Sequence, residues 1–296
     1  MPLLNPPNIL PNGMYLIAKY LTGRADAVER QRLKSLLQPP TLKLRADGIP
    51  TFDACLKALQ DLRLVVAADG MVSAGPQLVA PSDVRVFGEA LVPVICAGAA
   101  EDSREELPQR DLLAALTWWC AQDPYGAPLG WKEVQGLLSH DMGEAFTSFA
   151  IGNSNPWLAF VRWATALGFA EFAGPPSRAA STIVPDITRA VRTVIKNREW
   201  SSPVPASEFV SFLRDSLPVV DGGRLANLLR SKWDLPPVRR AAEEALDLML
   251  SHALLRNEES DVIAMDNPSD APDKVLLSDG SDVRIISVVT VRGMKR

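Results

Sequence analysis

Histidine, cysteine and aromatic residues are scarce in this sequence, and the scarcity of histidine and cysteine limits the chemistry that the protein can carry. The chain has 2 histidines, so the side chain most often used as a general base or metal ligand is nearly absent. Its 3 cysteines, Cys55, Cys96 and Cys120, lie far apart and beside no second cysteine or histidine at metal-ligand spacing. This spacing excludes a zinc finger and a disulfide framework, and it favours a reducing, cytoplasmic environment.

Long hydrophobic runs and an excess of positive charge are also missing. The apolar stretch at residues 90–100 is much shorter than the roughly 20 residues that a membrane-spanning helix needs. No basic region precedes an apolar one at the N-terminus, so we expect neither export nor membrane contact. The formal net charge is −4, and any binding to nucleic acid must therefore come from a local patch.

The remaining composition is typical of an ordinary folded protein. Apolar residues make up 47% of the chain and charged residues 22%, which excludes a disordered or collagen-like chain. A chain of 296 residues is too long for one small module and fits two or three domains. The hydrophobic periodicity predicts a mainly α protein with short β-hairpins, an α+β fold built from tandem winged-helix domains.

The first 80 residues have the pattern of three helices followed by a hairpin. The second helix is predicted to carry its apolar face at Val28, Leu33, Leu36 and Leu37. The third begins at Thr51, whose hydroxyl can cap the free amides of the first turn. It leads into two short apolar strands joined by Asp69-Gly70, a turn that needs positive φ. Three helices followed by a hairpin are typical of a winged helix.

The same order recurs along the chain at uneven spacing, which excludes a solenoid. We predict winged-helix domain 1 at 1–80, an acidic helical connector at 81–110, winged-helix domain 2 at 111–200 and a winged-helix-like domain 3 at 201–296 with a C-terminal strand. In the last domain, the long third helix is predicted at Val238–Leu250 and the final strand at Asp282–Val291.

Motifs that carry chemistry are weak. No phosphate loop, dinucleotide-binding glycine pattern, nucleophile elbow or zinc-protease helix is present. We interpret His140 and His252 as polar surface or helix-end residues rather than general bases. Gly222-Gly223-Arg224 resembles a phosphate-binding loop but is better explained as a turn before a helix, and the acidic loop at residues 266–273 lacks the calcium-loop spacing. We therefore expect no catalytic residue, metal or cofactor, and no enzyme activity.

Positive charge is concentrated in the first block. Residues 1–80 hold nine basic and six acidic side chains, a net +3, while the three later blocks are each net negative. The candidate DNA contacts in this block are basic residues around the third helix, with the helix-opening threonine: Lys43, Arg45, Thr51, Lys57 and Arg63. Asp53 and Asp61 on the same helix oppose this interpretation. The alternative is that these cations solvate a helix whose exposed face meets another protein.

A second set of candidate DNA contacts lies in the second block. Arg178 is placed at the tip of its predicted wing, and Arg189, Arg192 and Lys196 share one face of the following helix. The alternative is that these cations lie on an outer helix face that contacts only solvent. Trp118 and Trp119 lie on a helix that is apolar all round, which leaves it available to dock on a partner or on a second copy of the chain.

Three segments of the chain resemble one family. These are Leu3-Leu4-Asn5-Pro6-Pro7, the tryptophan-rich run at 157–169 and the run at 183–190. They resemble the DpdG family, the G component of bacterial 7-deazaguanine DNA modification and restriction islands. The resemblance spans most of the chain. It implies a non-catalytic partner in a phage-defence operon whose neighbours include ATPase or helicase-like proteins, and it carries over no site residue.

These observations together predict a cytoplasmic, non-catalytic tandem winged-helix protein. It is expected to bind or position duplex DNA within a bacterial anti-phage defence or DNA modification and restriction complex, beside other defence proteins such as an ATPase. Two alternatives stay open. One is a protein scaffold or adaptor of such a complex without DNA contact, and the other is a transcriptional regulator, which the absence of a small-molecule-sensing module weakens. A homo-oligomer is compatible with each of these.

Overall fold

The computed structural model describes residues 2–5, 7–39, 41, 51–97, 109–174, 182–201, 203–233, 238–268, 271 and 273–292. The first elements are α1 (Pro11–Thr22), β1 (Val28–Glu29), α2 (Arg30–Leu37), α3 (Thr51–Asp61), β2 (Val65–Ala68) and β3 (Met71–Ala74). The middle of the chain forms α4 (Val84–Ala97), α5 (Arg110–Trp119), α6 (Trp131–Met142), a 3₁₀-helix (Gly143–Ser148), α7 (Ser154–Leu167), β4 (Ala170–Phe172), β5 (Ile183–Pro185) and α8 (Thr188–Lys196). The last elements are β6 (Val204–Pro205), α9 (Ala206–Ser216), α10 (Arg224–Trp233), α11 (Leu248–Glu259), β7 (Ile263–Asp266), β8 (Val275–Ser278), β9 (Val283–Ile286) and β10 (Val288–Val291). Helices with small antiparallel sheets confirm the α+β prediction.

Unit 1, from α1 to β3, contains the predicted three helices and hairpin. The hairpin turn has the expected geometry, with φ of 52° at Asp69 and 76° at Gly70. The prediction for Val28 was wrong, because this residue belongs to β1 and pairs with Val72 rather than lying on α2. The three strands form an antiparallel sheet in the order β1-β3-β2, so the short first strand pairs with the last. That pairing buries Val28 and Val72 in the core.

Two further units repeat this order of elements, with one additional helix, α10, and the β8–β9 hairpin inserted in unit 3. In unit 2, from α5 to β5, an isolated antiparallel bridge from Leu129 to Ile183 takes the place of the short first strand, and β5 also pairs with β4. In unit 3, from α8 to β10, the sheet order is β6-β10-β7, again with the short first strand paired to the last. Helix α8 packs on α11 much as α1 packs on α3, so α8 serves as the first helix of unit 3.

Two predictions for the last part of the chain were wrong. The helix predicted at Val238–Leu250 lies instead at Leu248–Glu259, because the carboxylate of Asp247 caps its first turn by accepting the Leu250 amide at 3.0 Å. The predicted single final strand is divided at Ser287. Its first half, β9, pairs with β8, while its second half, β10, joins the sheet of unit 3. The Ser287 amide donates to the Asp266 carbonyl at 2.9 Å and holds the chain at this change of sheet.

Helix α4, within the segment predicted as an acidic connector, lies at the centre of the molecule. It packs against α1, α7, α8 and α9, and its apolar side chains belong to one continuous core shared by all three units. Gly88 allows the closest approach, because a Cβ there would lie 2.2 Å from the Ala166 carbonyl oxygen of α7. The three units are therefore held around one helix.

Among the helices of the described residues, none is both long enough and apolar enough to cross a membrane.

Candidate nucleic-acid interface

Helix α2 presents a cationic surface on unit 1. Leu33 is the buried residue of α2 and packs into the core. Arg30 and Arg32 are exposed, and Lys34 is half-buried. The Arg30 amide donates to the Gly70 carbonyl at 2.8 Å, which ties the start of α2 to the hairpin turn. The basic helix and the hairpin are thus held together as one surface.

Asp53 on α3 orients two of these cations. One of its oxygens lies 2.9 Å from the Arg30 guanidinium, and the other lies 2.6 Å from the Lys34 ammonium group. Burial opposes the ionisation of Asp53, but the hydrogen bonds and charges of Lys34 and Arg30 outweigh it, so the pKa of Asp53 is lowered. Asp53, Lys57 and Asp61 recur every four residues and share one side of α3. We define the α2–α3 face as Arg30, Arg32, Lys34, Asp53, Lys57 and Asp61, which carry four positive and two negative charges.

The candidate residues of unit 1 that the structure describes lie on or beside this face. Lys57 is exposed and forms an ion pair with Asp61. Arg63 is exposed just after α3 and adopts a left-handed conformation, with φ of 60°. Thr51 begins α3, but the Phe52 amide is satisfied by the Gln38 side chain, with a 3.0 Å bond to its Oε1. Lys43, Arg45 and, in unit 2, Arg178 lie outside the described residues.

Sequence reasoning missed the contribution of α2. The signal was available, since Arg30, Arg32 and Lys34 alternate around a single core leucine, Leu33. It was overlooked because three leucines and Val28 were assigned to an apolar face of this helix. In the structure Leu36 is 53% exposed, and Leu33 and the partly buried Leu37 pack against the core, so α2 leaves most of its basic side chains at the surface.

The second predicted stripe is largely engaged within the protein. The Arg189 side chain is 17% exposed, donates to the Glu171 carboxylate at 2.7 Å and also donates to the Thr165 carbonyl. Arg192 donates to the Asn257 side-chain oxygen at 3.0 Å, which links α8 to α11. Lys196 is exposed at the end of α8 and makes no ion pair with any described residue. Of the three cations on α8, Lys196 therefore presents its charge most freely to solvent.

The tryptophans proposed for docking are buried, so that interpretation was wrong. Trp118 and Trp119 are 1% and 0% exposed. The Trp118 indole donates to Asp141 at 2.8 Å, and the Trp119 indole donates to the Phe169 carbonyl at 2.8 Å. Helix α5 is apolar all round because the core of unit 2 surrounds it, not because a partner covers it.

The histidines and cysteines lie in different surroundings. His140 is exposed, whereas His252, interpreted as a surface or helix-end residue, is mostly buried within α11, with its Nε2 3.8 Å from an Asp186 oxygen. All three cysteines are buried, and burial raises the pKa of Cys55 to about 11 and that of Cys96 to about 12. Within the described residues, no group of three or more histidine, cysteine, aspartate or glutamate side chains could hold a metal ion.

The fold and this surface define a class: an α+β protein of three small helical units, each closed by antiparallel pairing, with a cationic face on unit 1. The chain belongs to the DpdG-like family, whose model matches residues 1–271. Searches of curated proteins and of solved structures found no match to this chain. Membership confirms the resemblance seen in the sequence, and it suggests a role in a 7-deazaguanine modification system beside the other components of that system.

Proposed function

We propose that this protein is a non-catalytic, DNA-binding subunit of a bacterial DNA modification and phage-defence system. Its α2–α3 face contacts the phosphate backbone of duplex DNA and positions the duplex for the other components. The observation that carries the proposal is the exposed basic helix α2, held by Asp53 and tied to the hairpin turn at Gly70. Family membership supports the biological setting.

The order of elements in unit 1, repeated with the changes described above in units 2 and 3, supports a tandem winged-helix architecture. A helix, a short strand, two helices and two strands, with the short strand paired to the last, are the parts of a winged helix. Winged helices and other helix-turn-helix proteins place their recognition helix in the major groove. The equivalent helices of units 2 and 3 are α7 and α11, and most residues of α3, α7 and α11 alike are buried or half-buried. We assign unit 1 to DNA because the exposed cations of α2 lie beside the exposed Lys57 of α3.

The exposed side chains of α3 indicate how unit 1 contacts DNA. Lys57 is its fully exposed residue, while Asp53 and Asp61 are partly exposed and repel phosphate. Phosphate contacts fix orientation on DNA, and base contacts read the sequence. Because the cations lie mainly on α2, we infer binding that depends strongly on salt and tolerates many DNA sequences.

The test is binding of the full chain to a short duplex at several salt concentrations. Four cations on phosphates predict an affinity whose logarithm falls by about 3.5 per tenfold increase in salt. The double variant Arg32→Ala with Lys57→Ala removes two contacts, so the slope is expected to fall by about two. Fluorescence anisotropy measures both quantities.

A matched control removes the same charge elsewhere. Lys132 on α6 and Arg162 on α7 are exposed on unit 2, and changing both to alanine is expected to leave the affinity nearly unchanged. Equal loss in both double variants would mean that net charge, rather than the α2–α3 face, controls binding. Absence of binding even at the lowest salt would refute the DNA-binding function.

A scaffold without DNA contact is the second candidate, and the hairpin of unit 1 favours it. Val66 and Met71 are 52% and 40% exposed there, and the hairpin carries no cation. Apolar side chains on an exposed hairpin are suited to a protein partner. Under this alternative the same duplex would not bind at any ionic strength.

A further inference from the structure

A cavity of about 450 Å³ lies at the junction of α4, α8, α9 and α10, away from the α2–α3 face. Its size falls in the range of small-molecule sites, roughly 300–1,000 Å³. It is lined by residues of these four helices and of the segments after α8 and α9, among them Arg198, Phe212, Arg214, Asp215, Ser216 and Arg224. Arg224 belongs to Gly222-Gly223-Arg224, the segment that resembles a phosphate loop in the sequence.

Part of the lining of this cavity is cationic. Arg198, Arg214 and Arg224 line it together with a single acid, Asp215, and Arg198 also lies 3.8 Å from the Glu208 carboxylate. Asn197 and Ser216 add neutral polar groups. Arginine is the side chain best suited to bind phosphate or carboxylate through paired hydrogen bonds.

Two of these arginines are held in place before any ligand binds. Arg214 donates from Nε to the Asp221 carbonyl at 3.1 Å, and its guanidinium lies against Gly222, where a Cβ would come within 2.5 Å of Nε. The guanidinium of Arg198 lies 4.6 Å from the ring centre of Trp200 and 4.8 Å from that of Phe212. Side chains held in this way lose little freedom on binding, which favours affinity.

The rest of the lining is largely apolar. Pro93 and Ala97 come from the end of α4, Val194 comes from α8, and Pro218 comes from the loop after α9. Such a surface suits a flat ring better than a second charged group. The lining therefore matches a ligand that has both an anionic group and a planar, apolar ring.

We propose that this cavity binds a small phosphorylated ligand of the nucleoside monophosphate class. The arginines bind the phosphate, and the surface formed by Val194, Pro93 and Pro218 accommodates the base. This inference does not depend on DNA binding by unit 1, because the two sites share no residue. Variants of the α2–α3 face are expected to leave it unchanged.

The test is calorimetric titration of the full chain with adenosine monophosphate, adenosine and inorganic phosphate. The nucleotide is expected to bind at least about tenfold more tightly than either fragment, since each fragment satisfies one part of the lining. Phosphate binding as tightly as the nucleotide would overturn the proposal, and so would the absence of nucleotide binding at millimolar concentration.

Three variants locate the site. Arg198→Gln and Arg224→Gln each remove one charged donor and are expected to weaken nucleotide binding about tenfold or more. Ala97→Phe fills the cavity without a change of charge and is expected to abolish binding. Arg256→Gln, at an exposed position on α11, is the matched control and is expected to retain the wild-type affinity.

Circular dichroism and the thermal midpoint check that each variant remains folded. Unchanged nucleotide affinity in folded Arg224→Gln and Ala97→Phe proteins would place the ligand elsewhere and overturn the proposal. Displacement of the nucleotide by duplex DNA, lost in the same variants, would assign the cavity to DNA phosphates instead of a small ligand.

Discussion

Asp247 caps the start of helix α11, but its buried carboxyl group also lowers the stability of the folded protein. Its Oδ1 accepts the Leu250 amide and caps α11, while its Oδ2 is buried and accepts no hydrogen bond from a described residue. Burial raises the pKa of Asp247 to about 6, and the nearby charge of Asp221 adds to that effect, although the bond from Leu250 opposes it. The protonated acid is therefore favoured in the folded state over a wider pH range than in the unfolded chain.

We predict that Asp247 makes the protein less stable as the pH rises from about 4 to about 6. In this window the folded state holds a proton that the unfolded state has lost, so the free energy of unfolding falls with pH, by at most about 3 kcal/mol from this group. Asp247→Asn retains a capping oxygen and removes the charge. Urea denaturation across this pH range is expected to show the variant gaining stability relative to wild type as the pH rises. A constant difference between the two proteins would contradict the prediction.

The residues that ended or turned elements were the easiest to predict from sequence. Asp69-Gly70 lies where positive φ was expected, and Gly168 ends α7 in the left-handed conformation with φ of 80°. These positions depend on the backbone freedom of one or two residues and not on distant partners. The side-chain environments of Arg189 and His252 could not be predicted, because Thr165 and Asp186 reach them from other elements.

At the scale of elements, the contact between α4 and α7 depends on a glycine, because any side chain at that position would separate the two helices. Gly88 lies against the backbone of Ala166, with 2.2 Å between an added Cβ and the carbonyl oxygen. Gly136 on α6 has no atom within 4 Å of the same added Cβ. A side chain at Gly88 would therefore clash with α7, whereas a side chain at Gly136 has room, although both glycines lie within helices.

We predict that alanine has opposite effects at these two positions. Gly88→Ala is expected to lower the free energy of unfolding by about 1–3 kcal/mol, because two backbones must separate. Gly136→Ala is expected to raise it by about 0.5–1 kcal/mol through helix propensity. Chemical denaturation measures both changes. Equal changes in the free energy of unfolding for the two substitutions would show that α4 and α7 leave room for a side chain at Gly88.

At the scale of the whole molecule, α8 joins unit 2 to unit 3. It follows directly after β5 in the chain, yet its apolar face packs on α11, and Arg192 bonds to the buried Asn257. Asn257 also donates to the Thr188 carbonyl at 3.2 Å. The predicted domain boundaries placed this helix in the second domain, at 111–200, because the helix-breaking sequence Ser201-Ser202-Pro203 follows it.

We predict that a chain ending at residue 201 does not fold into a monodisperse protein. Removal of α11 exposes the apolar face of α8, formed by Ala190, Val191, Val194 and Ile195. Size-exclusion chromatography and circular dichroism of this fragment are expected to show aggregation or lost helix relative to the full chain. A soluble fragment with a cooperative melting transition would instead mean that α8 belongs to unit 2.

The amino-acid sequence by itself determined the α+β class, most of the helices, the hairpin turn of unit 1 and the family. These features depend on local periodicity, capping and turn chemistry, which act between residues close in the chain. The tertiary structure decided that Val28 forms a strand, that the final strand divides at Ser287 and that the tryptophans of α5 are buried. Each of these depends on a partner brought from far along the chain, and burial against that partner outweighs local preference.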